Sequence, residues 1–375
     1  MTAVRKVLVI GGGIGGLSAA IALRRAGVDV DIVELKKDWT VYHVGVVIQG
    51  NAIRALAALG IAEKCVRAGF AYDGVVFRDL GGNLLMDIHG IPLAGPGLPS
   101  DLGLTRPALH KVLSESALEL GAKVRLGATF VEIADRGDKA SVALTDGSRG
   151  DYDLVIGADG VFSSTRKLLY GDRYVPRFTG QCVWRYNLPR PSEMTRAEMF
   201  VGLEGGKCGF IPLSQDTCYV LLVQAEPANS RHAEDQLASV FRTRLARCTG
   251  LMARLRDQIT DSSLVVYRPL EAVFVSGPWY RGRIVLLGDA VHATTPHMGQ
   301  GAAQAMEDAV VLGELLTRDE PVADLLSQYY ERRYSRCKFV YEASLQVGEW
   351  EQHPGPDADP MGLTAKLMPT LAAPI

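Results

Sequence analysis

The sequence predicts an α/β protein in which a domain of alternating strands and helices is interrupted by a second, mainly antiparallel sheet. Residues 6–10 (KVLVI) form an apolar run that ends in glycines. A helical segment over 17–25 and a strand over 28–35 follow, which is the order of a βαβ unit. Residues 178–267 change to short strands rich in Val, Tyr, Cys and Phe, and a buried-strand pattern returns at 282–290.

The other elements follow from the same patterns, taken in chain order. We predict a helix over 51–69 with Asn51 as its N-cap, strands over 74–87, and a Pro/Gly loop over 91–104. Further along we predict a helix over 107–120, strands with two hairpin turns over 124–148, a strand before the glycine turn at 157–160, and helices over 232–256, 301–316 and 323–344. The last 25 or so residues, with five prolines from Pro354 onward, predict a loosely packed tail.

Composition excludes several classes of protein. The 375 residues carry 40 Lys and Arg against 42 Asp and Glu, so a net charge of −2 does not favour binding to nucleic acid. The six cysteines lie far apart without a CxxC pair, which is typical of free thiols in a reducing cytoplasm. Residues 7–21 are too rich in glycine for a secretory leader, and no run reaches the 18 or so apolar residues of a membrane span. We therefore expect a cytoplasmic protein without a membrane span.

The first glycine turn predicts dinucleotide binding. Gly11, Gly13 and Gly16 form a G-x-G-x-x-G pattern around Ile14, at the end of a strand and the start of a helix. Glycines there let backbone N–H groups approach a pyrophosphate, and Glu34 at the end of the next strand can accept hydrogen bonds from a ribose. Such turns also occur for steric reasons alone, so the pattern needs the later motifs.

Two later blocks make the chain resemble the group A flavoprotein monooxygenases, the para-hydroxybenzoate hydroxylase family. Residues 153–166 (DLVIGADGVFSSTR) are similar to that family's ADG-x-x-S-x-x-R pattern. Residues 282–301 (GRIVLLGDAVHATTPHMGQG) are similar to its GDA-x-H-x-x-x-P-x-x-G-x-G pattern. The resemblance covers about residues 5–345 and implies a three-layer, Rossmann-like FAD-binding domain with an inserted substrate sheet.

The third block also has a physical interpretation of its own. A buried strand delivers Asp289, whose carboxylate can bond ribityl hydroxyls, and the turn at Gly299, Gln300 and Gly301 frees N–H groups at a helix N-terminus for the pyrimidine edge of a flavin. A strand-to-helix turn without chemical consequence is the alternative. We predict no metal site, because Asp289, His292 and His297 lack a metal-ligand spacing.

The resemblance assigns further residues to the cofactor. It places Asp159 and Gly160 near the FAD pyrophosphate, although Asp159 can also cap the following helix and pair with Arg166. It matches Arg106 to the family's arginine that reaches the flavin. Where many relatives have a small-residue loop after the second strand, this chain has residues 42–49 (YHVGVVIQ), so Lys36 and Lys37 are candidates to replace the usual arginine contacts.

Candidate catalytic residues are His43, Tyr219 and Pro296. His43 stands in the altered loop, either as a base near the ring or as an ordinary polar residue. Pro296 opens the flavin turn, and Tyr219 lies on a predicted strand with Leu221 and Val223 on the same face. Trp184 and Phe210 are the other aromatic residues expected around the substrate, but alternation does not tell which face of each strand the substrate contacts.

The resemblance finally implies an activity. FAD is expected to be bound non-covalently, NADH or NADPH to reduce it, and O2 to be used to hydroxylate a small aromatic or N-heteroaromatic substrate through a flavin hydroperoxide. A reductase or dehydrogenase without oxygen insertion, and a flavin-bound redox sensor, are the alternatives. We predict an FAD-binding domain over 1–73, 101–177 and 268–345, a substrate-binding domain over 74–100 and 178–267, a tail over 346–375, and a monomer or homodimer.

Overall fold

The computed structural model describes residues 4–228 and 230–375. Its helices are α1 (Ile14–Arg25), α2 (Gly50–Ala58), α3 (Ala62–Ala68), α4 (Arg106–Glu119), α5 (Ser164–Tyr170), α6 (Leu237–Arg244), α7 (Gly250–Asp257), α8 (Asp289–His292), α9 (Gly301–Leu315), α10 (Val322–Gln352) and α11 (Pro360–Ala372). Its strands are β1 (Lys6–Ile10), β2 (Asp29–Glu34), β3 (Gly45–Gln49), β4 (Phe70–Tyr72), β5 (Val75–Arg78), β6 (Leu84–Ile88), β7 (Asp101–Thr105), β8 (Lys123–Leu126), β9 (Phe130–Asp135), β10 (Ala140–Leu144), β11 (Arg149–Tyr152), β12 (Leu154–Gly157), β13 (Arg177–Pro189), β14 (Ala197–Leu203), β15 (Gly206–Pro212), β16 (Thr217–Ala225), β17 (Val266–Ala272), β18 (Tyr280–Arg281) and β19 (Ile284–Leu286). Within the described ranges, no helix is both long enough and apolar enough to cross a membrane.

A six-stranded sheet with the order β18-β19-β12-β1-β2-β8 carries the glycine turns. Strand β1 pairs in parallel with β2 and β12, and β12 pairs in parallel with β19. The apolar run of β1 is buried because helix α1 and its neighbours α4 and α9 pack near it, while the three-stranded sheet β11-β10-β9 contributes to the same core. The predicted three-layer α/β arrangement is confirmed.

A seven-stranded sheet with the order β17-β13-β16-β15-β14-β5-β6 forms the second part. Its pairings are antiparallel except for β14 with β5, so the inserted sheet is mainly antiparallel as predicted. Helices α6 and α7 cover one face. Strand β17 extends this sheet to Ala272, past the boundary at 267 that the sequence suggested.

The helix predicted over 51–69 is two helices, α2 and α3. Gly60, with a φ of +75°, turns the chain between them, a conformation that a side-chain-bearing residue rarely adopts. Asn51 is not an N-cap: it is buried inside α2, and its amide donates to Gln300 and Glu307. The amide has a tertiary partner there, which a local capping pattern cannot reveal.

Two other segments also differ from the predicted elements. The loop predicted over 91–104 ends in strand β7, which pairs with β3 and β4 and buries its own Leu102 and Leu104. The single helix predicted over 232–256 is divided into α6 and α7 by residues 245–249. Both predictions relied on local composition, which detected neither strand β7 nor the interruption between α6 and α7.

The prediction of a loosely packed C-terminal tail is wrong. Helix α10 continues to Gln352, and α11 follows it with Leu367 and Leu371 buried. Pro360 stands in the first turn of α11, where a missing N–H costs nothing. The guanidinium groups of Arg54 and Arg336 donate to carbonyl oxygens between Thr370 and Ala373 and so hold the end of this helix.

Candidate active site

A cavity of about 780 Å³ separates the two large sheets. The turns after β1, β12 and β19 form one wall, which we call the cradle (residues 11–16, 158–161 and 287–301). The opposite wall, the roof, is one face of the seven-stranded sheet and includes Val183, Arg185, Ile211, Tyr219, Leu221 and Val223. Helix α11 adds Met361, Thr364, Leu367, Met368 and Leu371, so the segment predicted to be a tail closes one side.

The predicted site residues separate into two groups. Those that line the cavity are Gly13, Ile14, Arg106, Tyr219, Asp289, Pro296, Gly299, Gln300 and Gly301. Those that lie outside its lining are Gly11, Gly16, Glu34, Lys36, His43 and Asp159. The residues of the second group either shape the glycine turns or form hydrogen bonds outside the cavity.

Gly11 and Gly16 let two backbone segments meet. A Cβ on Gly11 would lie 2.3 Å from the Ala158 carbonyl oxygen, and one on Gly16 would lie 2.0 Å from the Gly11 carbonyl oxygen. Gly11 also has a φ of +109°, which favours glycine. A Cβ on Gly13, by contrast, would meet nothing within 4 Å, because this glycine faces the cavity.

Glu34 and Lys36 stabilise the neighbouring loop. The Glu34 carboxylate accepts from the Gly12 N–H at 2.8 Å and from the Lys36 N–H at 2.9 Å. The Lys36 ammonium donates to the Thr40 carbonyl oxygen at 2.7 Å. Lys36 therefore bonds within its own loop and lies outside the lining of the cavity, and its contact with the cofactor stays a prediction.

Asp159 acts as a cap in this structure. Its carboxylate accepts from the Thr165 N–H at 2.9 Å and from the Thr165 hydroxyl at 3.0 Å, in the first turn of α5. The pairing with Arg166 is not formed, because that guanidinium donates to the carbonyl oxygens of Tyr174, Ala290 and Val161. Arg166 thus ties the second glycine block to α8 in the third.

Asp289 begins α8 and turns its carboxylate into the cavity. Among the described residues it has no hydrogen-bond or ion-pair partner. The side chain of Asp289 is exposed to the cavity, but desolvation by the surrounding protein raises its pKa, and the nearby His292 and Arg106 oppose that rise. A carboxylate so placed is suited to accept hydrogen bonds from a ligand.

The turn at Gly299 to Gly301 is held from behind. The Gln300 amide donates to Gln49 and to Asn51 Oδ1, and Asn51 donates to Glu307 on α9. A Cβ on Gly301 would meet nothing within 4 Å, so the backbone borders open space at this residue. The sequence missed Gln49 and Asn51 because they lie about 250 residues from their partners.

A buried ionic network lies behind the same turn. Arg333 on α10 donates to Asp308 and Glu307 on α9, and His292 bonds Asp308 at 2.6 Å. His292, Asp308 and Cys337 lie close enough to hold a metal ion. However, the Arg333 guanidinium already contacts both Asp308 and Cys337, and a second cation there would be repelled.

Arg185 and Tyr219 project from the roof toward the cradle. In the pairing of β13 with β16, Arg185 lies opposite Leu221 and Asn187 lies opposite Tyr219, so both side chains are on one face. Burial, with a contribution from Arg106, lowers the pKa of Arg185 to about 10. Burial also raises the pKa of Tyr219, which keeps its hydroxyl protonated at neutral pH.

Trp184 and Phe210 do not face the cavity. Both are buried on the opposite face in the core under α6 and α7, where Trp184 packs against Phe241. Trp184 precedes Arg185, and successive residues of a strand point to opposite sides. The expectation that these two aromatic residues surround the substrate is therefore wrong.

The candidate catalytic residues have different outcomes. His43 bonds the Leu264 carbonyl oxygen at 3.1 Å and lies outside the cavity lining, which favours an ordinary polar loop residue over a base near the ring. Tyr219 and Pro296 line the cavity. The sequence missed Arg185, Lys207 and His297 as functional candidates, although all three line the same space.

The cradle fits a dinucleotide cofactor. Gly13, Gly160 and Gly301 line the cavity, and an added Cβ would enter open space at each one. Arg106 Nε and Thr294 Oγ1 are buried in the same wall and have no hydrogen-bond partner within the described chain. Unpartnered buried donors next to a free carboxylate favour a polar ligand that is bound along this wall.

Comparison with known proteins identifies that ligand. Residues 5–344 match the family model described as FAD binding domain. The chain belongs to this family. FAD is therefore the cofactor of this flavoprotein. We expect the cradle to hold it.

Relatives of this flavoprotein are monooxygenases. It is 33% identical over 355 residues to 2-heptyl-3-hydroxy-4(1H)-quinolone synthase of Pseudomonas aeruginosa, covering 92% of this chain and 90% of that protein. It is 30% identical to the putative FAD-dependent monooxygenase YetM of Bacillus subtilis, covering 92% and 93%. The structure of Klebsiella pneumoniae HpxO complexed with FAD and uric acid superposes with a TM-score of 0.85 at 27% identity, covering 98% of this chain and 92% of that one. The protein is an enzyme of the same kind, an FAD-dependent monooxygenase.

Proposed function

We propose that this monooxygenase uses NADH or NADPH and O2 to hydroxylate a small aromatic or N-heteroaromatic compound that binds as an anion. The observation that carries the proposal is Arg185, a deeply enclosed guanidinium on the roof that faces the cavity. Among the described residues it has no carboxylate partner. The Arg185 side chain is half-buried, and a cation enclosed in this way without a counterion favours a ligand that brings negative charge.

The surroundings of Arg185 suit a flat ring. Val183, Ile211, Leu221 and Val223 form an apolar surface around it, and Met368 lies on the neighbouring helix α11. Tyr219 offers a hydroxyl on the same face. A phenolate, a ring carboxylate or an ionised heteroaromatic hydroxyl would pair with Arg185 while its ring packs against the apolar residues.

The residues of this chain bind, orient and exclude water. Arg185 stabilises the ionised form of a ring hydroxyl, which enriches the ring in electrons, and Tyr219 donates a hydrogen bond that fixes its orientation. The turn from Pro296 to Gly301 and Asp289 would hold the flavin, and α11 closes the side of the cavity. When bound, FAD would supply the redox chemistry, namely hydride acceptance and oxygen activation.

The named activities of relatives support this class of substrate. They include a quinolone synthase, an FAD-dependent urate hydroxylase and 3-hydroxybenzoate 6-hydroxylase 1. We further propose that FAD is bound without a covalent link, because the sequence has no family-like histidine or cysteine attachment site beside the glycine loops. Among the described residues, no cysteine lines the cavity. A monomer or homodimer in the cytoplasm remains our prediction.

Turnover under isotopically labelled oxygen gas tests the proposal. The holoenzyme is screened with aromatic acids, phenols and hydroxypyridines for accelerated NAD(P)H consumption. We expect an acidic ring compound to stimulate it and one labelled oxygen atom to enter the product. If the substrate is consumed and NAD(P)H is oxidised but no labelled oxygen enters the product, the enzyme is instead a reductase or dehydrogenase.

A further inference from the structure

His297 stands in the wall between two hollows of the molecule. It lines the main cavity together with Thr295, and both residues also line a second pocket of about 650 Å³, which we call the side pocket. Gln181 from β13 and Gly348 from α10 also border the side pocket. The side chains of Thr295 and His297 therefore separate the two spaces.

A hydrogen-bonded chain crosses this wall. Thr295 Oγ1 lies 2.8 Å from His297 Nδ1, and His297 Nε2 lies 3.1 Å from Glu351 Oε2. Lys207 Nζ from the roof lies 2.9 Å from Glu351 Oε1. Burial raises the pKa of Glu351, but Lys207 and His297 outweigh that effect and lower it to about 2, so this carboxylate is ionised.

The ionised Glu351 fixes the tautomer of His297. A carboxylate can only accept, so Nε2 carries the proton and Nδ1 of the neutral ring accepts from the Thr295 hydroxyl. The imidazole side chain is fully enclosed, whereas the Glu351 side chain is 12% exposed. The chain therefore runs from the substrate cavity toward solvent through groups that all hold or accept a proton.

We propose that Thr295, His297 and Glu351 form a proton exit through which the acidic ring hydroxyl of the substrate loses its proton. The inference rests on the proposed function. The substrate O–H bond breaks, its proton goes to Thr295 Oγ1, and the Thr295 proton goes to His297 Nδ1. The resulting imidazolium is stabilised by the Glu351 carboxylate and releases its Nε2 proton by way of Glu351 to solvent.

The pH dependence of this exit follows from the groups around the ring. Lys207 on β15 and Glu351 on α10 are the charged groups that face His297, while Gln181 and Thr295 are neutral. Burial lowers the pKa of His297, the hydrogen bond with Glu351 opposes that shift, and the charge of Lys207 adds to it. The ring accepts a proton only when neutral, so transfer should slow as the pH falls below this lowered pKa.

The experiment follows ionisation of 4-nitrophenol by the oxidised holoenzyme, without NAD(P)H and therefore without turnover. Stopped-flow absorbance records the bound phenolate as it forms below the pKa of the free phenol. We expect Thr295→Val and His297→Gln to slow this step by about 100-fold, because each interrupts the chain. Thr295→Ser, which keeps the hydroxyl, should restore the wild-type rate, and the low-pH decline should be absent from His297→Gln.

The outcomes separate the two proposals. Equal ionisation rates in wild type, Thr295→Val and His297→Gln would overturn the proton exit and leave the proposed function intact. Failure of the wild-type holoenzyme to bind 4-nitrophenol would contradict the anion-binding site, and the exit with it. Thermal unfolding and FAD affinity of each variant show whether slow ionisation comes from a disturbed fold, in which case Thr295→Ser and Thr295→Val would be slowed alike and the exit would be rejected.

Discussion

The cradle and the roof enclose the same cavity but contribute to it in different ways. In the cradle the backbone approaches the ligand, so Gly13, Gly160 and Gly301 leave open space where a side chain would stand. In the roof the backbone is paired in the sheet and only side chains, above all Arg185 and Tyr219, reach the cavity. We therefore propose that backbone geometry mainly holds the cofactor, while side chains displayed on a regular sheet select the substrate.

The roof also has two faces with different purposes. The face under α6 and α7 is a closed apolar core with Trp184 at its centre, and the cavity face carries an unpaired cation. We expect the first face to determine stability and the second to determine activity. Four substitutions test these contrasts, taken from the largest expected effect to the smallest.

Trp184→Ala should lower the free energy of unfolding by about 3–5 kcal/mol, because it removes a fully buried indole from between Tyr267 and Phe241. Urea denaturation of the holoenzyme measures this. Val131→Ala, at a position 66% exposed, is the control and should change stability by less than about 0.5 kcal/mol. A loss of activity at unchanged stability in Trp184→Ala would show that this face does take part in the chemistry.

Arg185→Gln should lower kcat/KM for the acidic substrate by about 100-fold, or about 2.7 kcal/mol, because the anion loses its counterion. The free energy of unfolding should be unchanged or higher, since an unpaired charge is removed from an enclosed, half-buried position. Steady-state kinetics and urea denaturation give both values. Arg185→Lys should recover part of the loss, and equal kinetics in all three proteins would remove the central argument for an anionic substrate.

Asp289→Ala should weaken FAD binding by about 2 kcal/mol, because it deletes the acceptor of charge-assisted hydrogen bonds in the cradle. Fluorescence titration of the apoprotein with FAD measures the affinity. Asp289→Asn keeps an oxygen acceptor without the charge, so its affinity for FAD should lie between those of the wild type and of Asp289→Ala. Unchanged affinity in a folded Asp289→Ala protein would mean that the cradle relies on its backbone alone.

Tyr219→Phe should have the smallest effect, a fall in kcat/KM of less than about tenfold, since one neutral hydrogen bond contributes about 0.5–1.5 kcal/mol. The raised pKa of Tyr219 makes its hydroxyl a donor across the neutral range, so the pH profile should keep its shape. A changed profile would instead identify Tyr219 as a titrating base. FAD affinity serves as the control and should not move.

Much of the cradle could be predicted because its requirements are local. The βαβ order around Gly11 to Gly16 follows from an apolar run, a glycine turn and a helical segment that are adjacent in the chain. Asp289 and the turn at Gly299 to Gly301 were placed at the cavity by the same kind of reasoning. The contacts of Glu34 and Lys36 were less predictable, because a side chain near a turn can bond to the loop itself.

The roof shows what a local sequence pattern cannot predict. Alternation established that Tyr219, Leu221 and Val223 share a face, but the side of the sheet that α6 and α7 cover decides which face remains for the substrate. Period-2 patterns look alike from both sides. The expectation for Trp184 and Phe210 therefore failed, while the strands themselves were predicted.

The sequence by itself determined the α/β class, the glycine turns, the order of the three motifs and the family that they indicate, because each depends on residues within about one supersecondary unit. Only the tertiary structure decided that Asn51 supports Gln300, that α11 closes the cavity, and that His297 meets Glu351 from 54 residues away. Such contacts arise when separate elements bury their apolar faces against one another. Packing of the whole chain, which no local pattern encodes, brings their polar groups together.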